Sequence, residues 1–278
     1  MNIFDTLLVY PITNILLFIY QILAFIHFPF ALGFSIIVLT IIIRLILYPL
    51  TSSQIKASKK MMDINPHLKN LKEKHKNDAK MLQQETMRLY KEHGVNPAAG
   101  CLPVLIQLPV IWGLYSVLNG IIQVGPKSLM QINNVAYFDF LKLTKIWDTS
   151  FFGIPLGQNP SHLISTLGPL ILLIPILTGA FQFVQSKMML SQAPQAKDKK
   201  LSEAIPASGE KKQEDFATAF QTQSLYIFPI MIGFFSYNFP IGLSLYWNTF
   251  TIFGIIQQYK VSGLGGLREW VDKINGRK

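Results

Sequence analysis

Five stretches of this chain are apolar over lengths that a bilayer accommodates and a soluble domain of this size does not. They fall at 31–50, 101–123, about 163–184, and twice within 225–257. A run of about eighteen or more residues with few charges reads as a helix crossing a membrane. As one helix, 225–257 would extend roughly 50 Å at about 1.5 Å per residue. That exceeds one passage through a hydrocarbon core of about 30 Å. The pentapeptide "NFPIG" at 238–242 interrupts the run, so two short spans joined by a tight hairpin are expected. Each is near the low end of spanning length, which implies local thinning of the bilayer. Pro103, Pro109, Pro169 and Pro175 fall inside expected spans, where neighbouring helices re-satisfy the freed backbone.

Half of the 278 residues are hydrophobic and only 14% are charged, a balance that suits a polytopic membrane protein. The formal net charge of +10 would suit a nucleic-acid binder if the basic residues covered one folded surface. They are instead blocked into alternate connections. Segments 51–100, 185–223 and 258–278 carry 10, 6 and 5 Lys/Arg, whereas 1–30 and 124–162 carry only Lys127, Lys142 and Lys145. The positive-inside rule then sets the N-terminus outside and the C-terminus in the cytoplasm. Cys101 is the only cysteine, which excludes a disulfide framework and a cysteine-based metal site. The N-terminal "MNIFDTLLVYP" has no basic residue ahead of its apolar run and does not read as a secretory leader.

Residues 3–28 admit two readings. They are long enough to span, or they form a helix in the outer interface, with Asn14 and Gln21 on a polar stripe between Pro11 and Pro29. No basic residue would hold the N-terminus in the cytoplasm, which favours the interfacial helix. Residues 52–95 are polar and helical in pattern, with stripes through Ile55, Met62, Leu68 and Leu71 and through Leu82, Leu89 and His93. Two helices folded back as a hairpin would pair those stripes, with Pro66 interrupting the first. Residues 191–216 have few large apolar side chains and read as a flexible linker.

Arg44 stands alone in "LTIIIRLILYPLT" at 39–51, with no other charged residue back to Asp5 or forward to Lys56. It lies about 20 Å into its span from the outer end. A lone arginine at that depth costs at least about 2.5–3.5 kcal/mol. Every Asp and Glu lies in a loop or terminus, so no span supplies a carboxylate. Either the side chain snorkels to the inner interface, or it faces a water-filled cavity open to the cytoplasm. Thr40, Gln107, Gln182, Gln185, Asn248 and Thr249 are available to line such a cavity. A cationic cavity without a counter-charge suits a polypeptide whose acidic residues are drawn partway into the membrane.

Four motifs, in order, carry a family likeness: "IIIRLILYPLT", "NPAAGCLPVLIQLPVIWGLY", "FVQSKMM" and "FPIGLSLYWNTFTIFGIIQQY". Across 31–123 and 164–260 the chain resembles the YidC/Oxa/Alb family of membrane protein insertases, bacterial type, without the large outer domain of some relatives. The resemblance implies an all-α polytopic membrane protein with five transmembrane helices around a hydrophilic groove, an outer interfacial helix and a cytoplasmic helical hairpin. The expected parts are an interfacial helix at 1–30, spans at 31–51, 99–123, 163–187, 224–240 and 241–260, and a hairpin at 52–98. An outer loop at 124–162, a flexible cytoplasmic loop at 188–223 and a basic tail at 261–278 complete them. By the same resemblance the substrate groove holds Arg44, Thr40 and Gln185, and Gln107 and Asn248 are expected to join them from their polarity within the spans. Leu108, Ile111, Phe235 and Trp247 match the apolar slide that touches nascent spans. Where the family often has Asn, four residues after Trp247, this chain has Thr251, and Asn248 follows the tryptophan directly.

The implied partners are nascent membrane proteins, in a bacterial cell membrane, with the Sec translocon and the ribosome as further candidates. Lys56, Lys59 and Lys60 suit either RNA phosphates or anionic lipid. No cofactor, nucleotide loop or metal site is expected. A small-solute transporter would also explain a mid-membrane polar cavity, but it would normally show intramembrane acids or repeat symmetry. An intramembrane enzyme would need H-E-x-x-H or a base beside Cys101. His27, His67, His75, His93 and His162 all lie outside the expected spans.

Overall fold

Proline and glycine decide where the helices begin and end. The computed structural model describes residues 3–75, 78–94, 102–122, 126–145, 147–189 and 212–276. A π-helical turn, Asp5–Val9, leads into α1 (Tyr10–Phe25), whose Pro11 sits in the first turn where its missing N–H is no loss. Phe30, at φ 55°, precedes α2 (Ala31–Ile46). The chain breaks at Leu47 and restarts as α3 (Tyr48–Asp63), with Pro49 in the first turn. Continuing α2 through Pro49 would drive its ring against the carbonyl four residues back. A second break at Ile64 places Pro66 in the first turn of α4 (Asn65–Lys74). Then α5 (Ala79–Glu92) is capped by Asp78, whose carboxylate accepts from Met81 N at 2.9 Å.

The remaining elements are α6 (Leu102–Ile122), α7 (Pro126–Val135), a two-stranded antiparallel hairpin of β1 (Ser150–Phe151) and β2 (Ile154–Pro155), α8 (Pro160–Leu167), α9 (Leu173–Met189), α10 (Lys212–Asn238), α11 (Ile241–Ser262) and α12 (Arg268–Ile274). The chain divides into two compact units. The first comprises Met1–Pro49, Pro103–Gln182 and Pro229–Gly254. Its core is built on Leu16, Leu17, Ile36, Leu118, Leu243 and Tyr246. The β hairpin lays Phe151 across Gly33 of α2, where a Cβ would overlap the ring. The loop after the hairpin holds the start of α11, because Ile241 N donates to Gln158 O at 3.0 Å and Gly242 N to Leu156 O at 2.7 Å. Two of the free amides at that helix start are thereby satisfied.

The second unit comprises Leu50–Leu102, Phe183–Phe228 and Ile255–Lys278. In it α4 lies against α5, with the His67 and His93 rings 6.0 Å apart. Met188 O approaches Gly265 so closely that no side chain fits there, and Gly265 has φ +52°. Phe183 meets Trp270 at 5.9 Å, and Lys187 Nζ lies 5.5 Å from the Trp270 ring centroid.

The fold is helical apart from the one small hairpin among the described residues. Asp5–Phe25 and Pro169–Met189 are long and apolar enough to cross a membrane alone, and α2 with α3 counts as a third if that pair is one span. Leu108–Leu118 and Leu225–Asn238 are shorter apolar helices. Several boundaries depart from expectation. The span expected at 31–51 ends its helix at Ile46. The one expected at 163–187 breaks at Gly168, with φ +76°, before Pro169. The segment expected to be a loop at 124–162 contains α7 and the hairpin. The segment expected to be flexible at 188–223 is helical from Lys212, so the helix of the fourth expected span starts well before 224. The sequence there is rich in Lys, Gln, Glu and Ala, good helix formers that a search for apolar content passes over. Residues 190–211 and Cys101 lie outside the described residues.

Candidate functional site: a buried arginine on a helix carbonyl

Thr40 and Arg44 lie one turn apart on α2, and both are buried. The Thr40 hydroxyl donates to Ile36 O at 2.6 Å within its own helix. Arg44 reaches α11: its Nε and Nη2 both donate to Phe250 O, at 3.1 and 2.6 Å. Its Cζ sits 3.4 Å from the Phe250 ring centroid, with Phe253 further off at 5.9 Å. Only 4% of the residue is exposed. The guanidinium is therefore covered by Phe250, where the sequence suggested an open, wet cavity.

No carboxylate pairs with it: the four ion pairs among the described residues are Arg88 with Glu85 and with Glu92, Lys142 with Asp139, and Arg268 with Asp272. A hydrogen bond from a charged group contributes about 1.5–3 kcal/mol, and a desolvated cation–π contact about 2 kcal/mol. Together they offset the lower bound of about 2.5–3.5 kcal/mol for an arginine at membrane depth. They leave its charge uncompensated.

The neighbouring turns of α11 are polar on one face. Ser244, Asn248 and Thr251 recur at i, i+4 and i+7. Ser244 Oγ lies 2.8 Å from Ser236 Oγ of α10, which donates to Thr178 Oγ1 of α9 at 3.3 Å. Asn248 Oδ1 and Thr251 Oγ1 are buried with no protein hydrogen-bond partner among the described residues. They are the two buried side-chain polar atoms of the first unit left without a partner among the described residues, on the same helix whose Phe250 carbonyl holds Arg44. Thr251, Ser244, Ser236 and Thr178 were not among the sequence-derived groove residues. The i, i+4, i+7 spacing on 244–251 was the signal for three polar groups on one face.

The other candidates divide. Trp247 is half-buried, and its Nε1 donates to Gln182 Oε1 at 3.4 Å. Thr249 donates back to Leu245 O at 2.8 Å. Phe235 stacks on Phe239, with centroids 5.5 Å apart. Leu108 is exposed, Ile111 half-buried, and Trp112 beside them exposed. Thr40, Arg44 and Asn248 belong to the first unit, whereas Gln185 is half-buried on α9 in the second. The Gln107 side chain lies outside the described residues. Lys56, Lys59 and Lys60 are exposed on α3 of the second unit. That unit has its own polar cluster: Gln257 Nε2 donates to Thr51 Oγ1 at 2.7 Å and to Ser52 Oγ at 2.9 Å, and Gln54 and Gln258 are buried.

Comparison with known proteins places this geometry in context. The sequence model of the family described as 60Kd inner membrane protein matches residues 7–264. A membrane protein insertase YidC of Fusobacterium nucleatum is 34% identical over 235 residues, covering 84% of this chain and 87% of that protein. The membrane protein insertase MisCA of Bacillus subtilis is 31% identical, covering 93% of this chain and 79% of its own. The chloroplast inner membrane protein ALBINO3 of Arabidopsis thaliana is also 31% identical, over 90% of this chain and 51% of its own length.

Proposed function

This chain belongs to the YidC/Oxa/Alb family, and on that premise we propose that Arg44 receives the acidic or polar flank of a nascent membrane segment during its insertion. The protein is a multi-pass membrane insertase, not an enzyme, as the names of its relatives indicate. The observation that carries the reading is a guanidinium buried against one carbonyl and one ring, with no carboxylate paired to it among the described residues. Such a charge is tolerable at rest and is further stabilised when an acidic group arrives.

In this reading five spans surround a groove open to the cytoplasm, and displacement of the Phe250 ring uncovers Arg44. Asn248 Oδ1 and Thr251 Oγ1, which have no protein partner among the described residues, hydrate the path or bind the backbone of the passing chain. The hydrophobic segment itself moves along Leu108, Ile111, Phe235 and Trp247, and burial of its apolar surface in lipid drives the step. The membrane potential assists acidic flanks outward. Basic blocks on three connections support a cytoplasmic C-terminus. The Sec translocon, the ribosome and anionic lipid remain partners in this proposal, the last two through Lys56, Lys59 and Lys60.

The test uses proteoliposomes of the full chain and a single-span substrate with an acidic N-terminal tail. Arg44→Lys supports insertion and Arg44→Ala does not. Equal activity of both variants, or inactivity of both, removes the charge from the mechanism. A photo-crosslinker beside Arg44 captures the stalled substrate. Solute flux through the pure protein without any capture would favour a transporter instead.

A further inference from the structure

The segment after α7 is held on the polar stripe of α1 by side-chain amides. Asn14 brackets one turn of backbone: its Nδ2 donates to Val135 O at 2.8 Å, and its Oδ1 accepts from Tyr137 N at 2.7 Å. Two turns further along α1, Gln21 Nε2 donates to Lys142 O at 3.2 Å. Asn133 closes the segment on itself, donating to Leu143 O at 3.0 Å and accepting from Leu143 N at 2.8 Å. Residues 135–142 thus run alongside residues 14–21 of α1.

The fixed segment turns its aromatic rings outward. Phe138 and Phe140 are 59% and 64% exposed, and they stack with centroids 5.5 Å apart and planes 16° from parallel. Tyr137 beside them is exposed, while Leu141 is buried as the anchor. Adjacent aromatic rings held in the open by a hydrogen-bonded backbone are unfavourable in water. The only charge between the two phenylalanines is Asp139, which Lys142 Nζ neutralises at 2.6 Å. The α1 helix beside them exposes Phe18, Ile22 and Phe25 on a helix with the length and hydropathy of a membrane span. A neutralised aromatic cluster beside an exposed apolar helix has the composition of a membrane–water boundary, where Trp and Tyr collect and Phe side chains dip beneath the headgroups.

We infer that residues 137–140 form an aromatic ledge, clamped by Asn14, that lies in the lipid headgroup boundary and fixes the depth of α1. With the C-terminus in the cytoplasm, the boundary is that of the outer leaflet. Single cysteines replace Phe138 or Phe140 in a Cys101→Ser background and carry an environment-sensitive fluorophore. Glu92→Cys, on the exposed end of α5, is the aqueous control. The full chain is reconstituted in nanodiscs of phosphatidylethanolamine and phosphatidylglycerol, with nitroxide lipids labelled either near the glycerol or near the acyl-chain end. The expected result is a blue shift at both ledge positions and loss of most emission to the glycerol-proximal nitroxide, with neither at Glu92→Cys. Emission like that of the control overturns the inference, as does quenching only by the chain-end nitroxide. Emission that is blue-shifted but indifferent to both nitroxides would mean protein covers the ledge, and overturns it too. The readout does not depend on substrate insertion, so it stands or falls apart from the role of Arg44.

Discussion

Gly179 of α9 and Gly233 of α10 meet backbone to backbone. A Cβ on Gly179 would lie 3.2 Å from Pro229 O, and one on Gly233 would lie 3.3 Å from Pro175 O. The backbones approach closely at this crossing, in the manner of small-residue contacts in membranes. Thr178 and Ser236, next to these glycines in sequence or nearly so, share a hydrogen bond across the same pair. Gly179→Leu is expected to force the helices apart at a cost of about 1–3 kcal/mol or more. Gly179→Ala costs less, because one methyl has only a carbonyl to displace. Thermal unfolding in detergent ranks wild type, Ala and Leu in that order; an unchanged Leu variant would show that the helices do not cross so tightly.

The Phe250 ring is the cover over Arg44, and its carbonyl is the acceptor. Phe250→Leu keeps the carbonyl and removes the ring. Loss of a cation–π contact of about 2 kcal/mol is expected to raise the reactivity of Arg44 toward phenylglyoxal at least several-fold. Peptide mapping by mass spectrometry reads this against Arg88 and Arg268, whose exposed side chains serve as internal standards. Equal reactivity in wild type and variant would mean that the ring does not shield the guanidinium.

Asn14 makes three backbone bonds, its Nδ2 donating to Tyr10 O and Val135 O and its Oδ1 accepting from Tyr137 N, so its replacements separate donor from acceptor. Asn14→Ala removes all three and costs about 1–3 kcal/mol. Asn14→Asp keeps the acceptor for Tyr137 N and loses both donations. Hydrogen exchange at the Tyr137 amide should accelerate in the alanine variant and remain slow in the aspartate variant. Acceleration in both would assign the protection to something other than this clamp.

The pair of Asp139 and Lys142 makes a pH prediction. The Lys142 ammonium, through its hydrogen bond and charge, holds the Asp139 carboxyl below its ordinary value of 3.8. With the folded value below the unfolded one, the contribution is present above the unfolded value and lost as pH falls through the folded one. Ledge fluorescence in nanodiscs should therefore stay constant from neutral pH down to the ordinary carboxylate range and change only below it. Lys142→Gln should move that change to higher pH. An identical pH midpoint in both proteins would remove the pair from the ledge.

Several of these features were legible in the residues. Pro240 within "NFPIG" breaks the final apolar run as expected, since it ends one helix and admits a new one behind it. Arg44 was conspicuous because a charge among Ile and Leu has no cheap explanation. Its acceptor was not legible, because a backbone carbonyl has no residue type, and Phe250 is one aromatic among 20 phenylalanines. The stripe through Asn14 and Gln21 was visible, but not its partner: both side chains grip backbone 121 residues away in sequence. The early start of α10 was hidden for a related reason: a polar helix carries no periodicity of burial to betray it.

The amides of Ile241 and Gly242 end on the carbonyls of Gln158 and Leu156, and such a mooring is blind to side chains. Exposed Gln158 can therefore change as long as the chain follows the same path, while Leu156 is held to an apolar side chain by its own burial in the core. Deleting a single residue between them would cast off the head of the helix that bears Phe250, so along this loop length weighs at least as much as spelling.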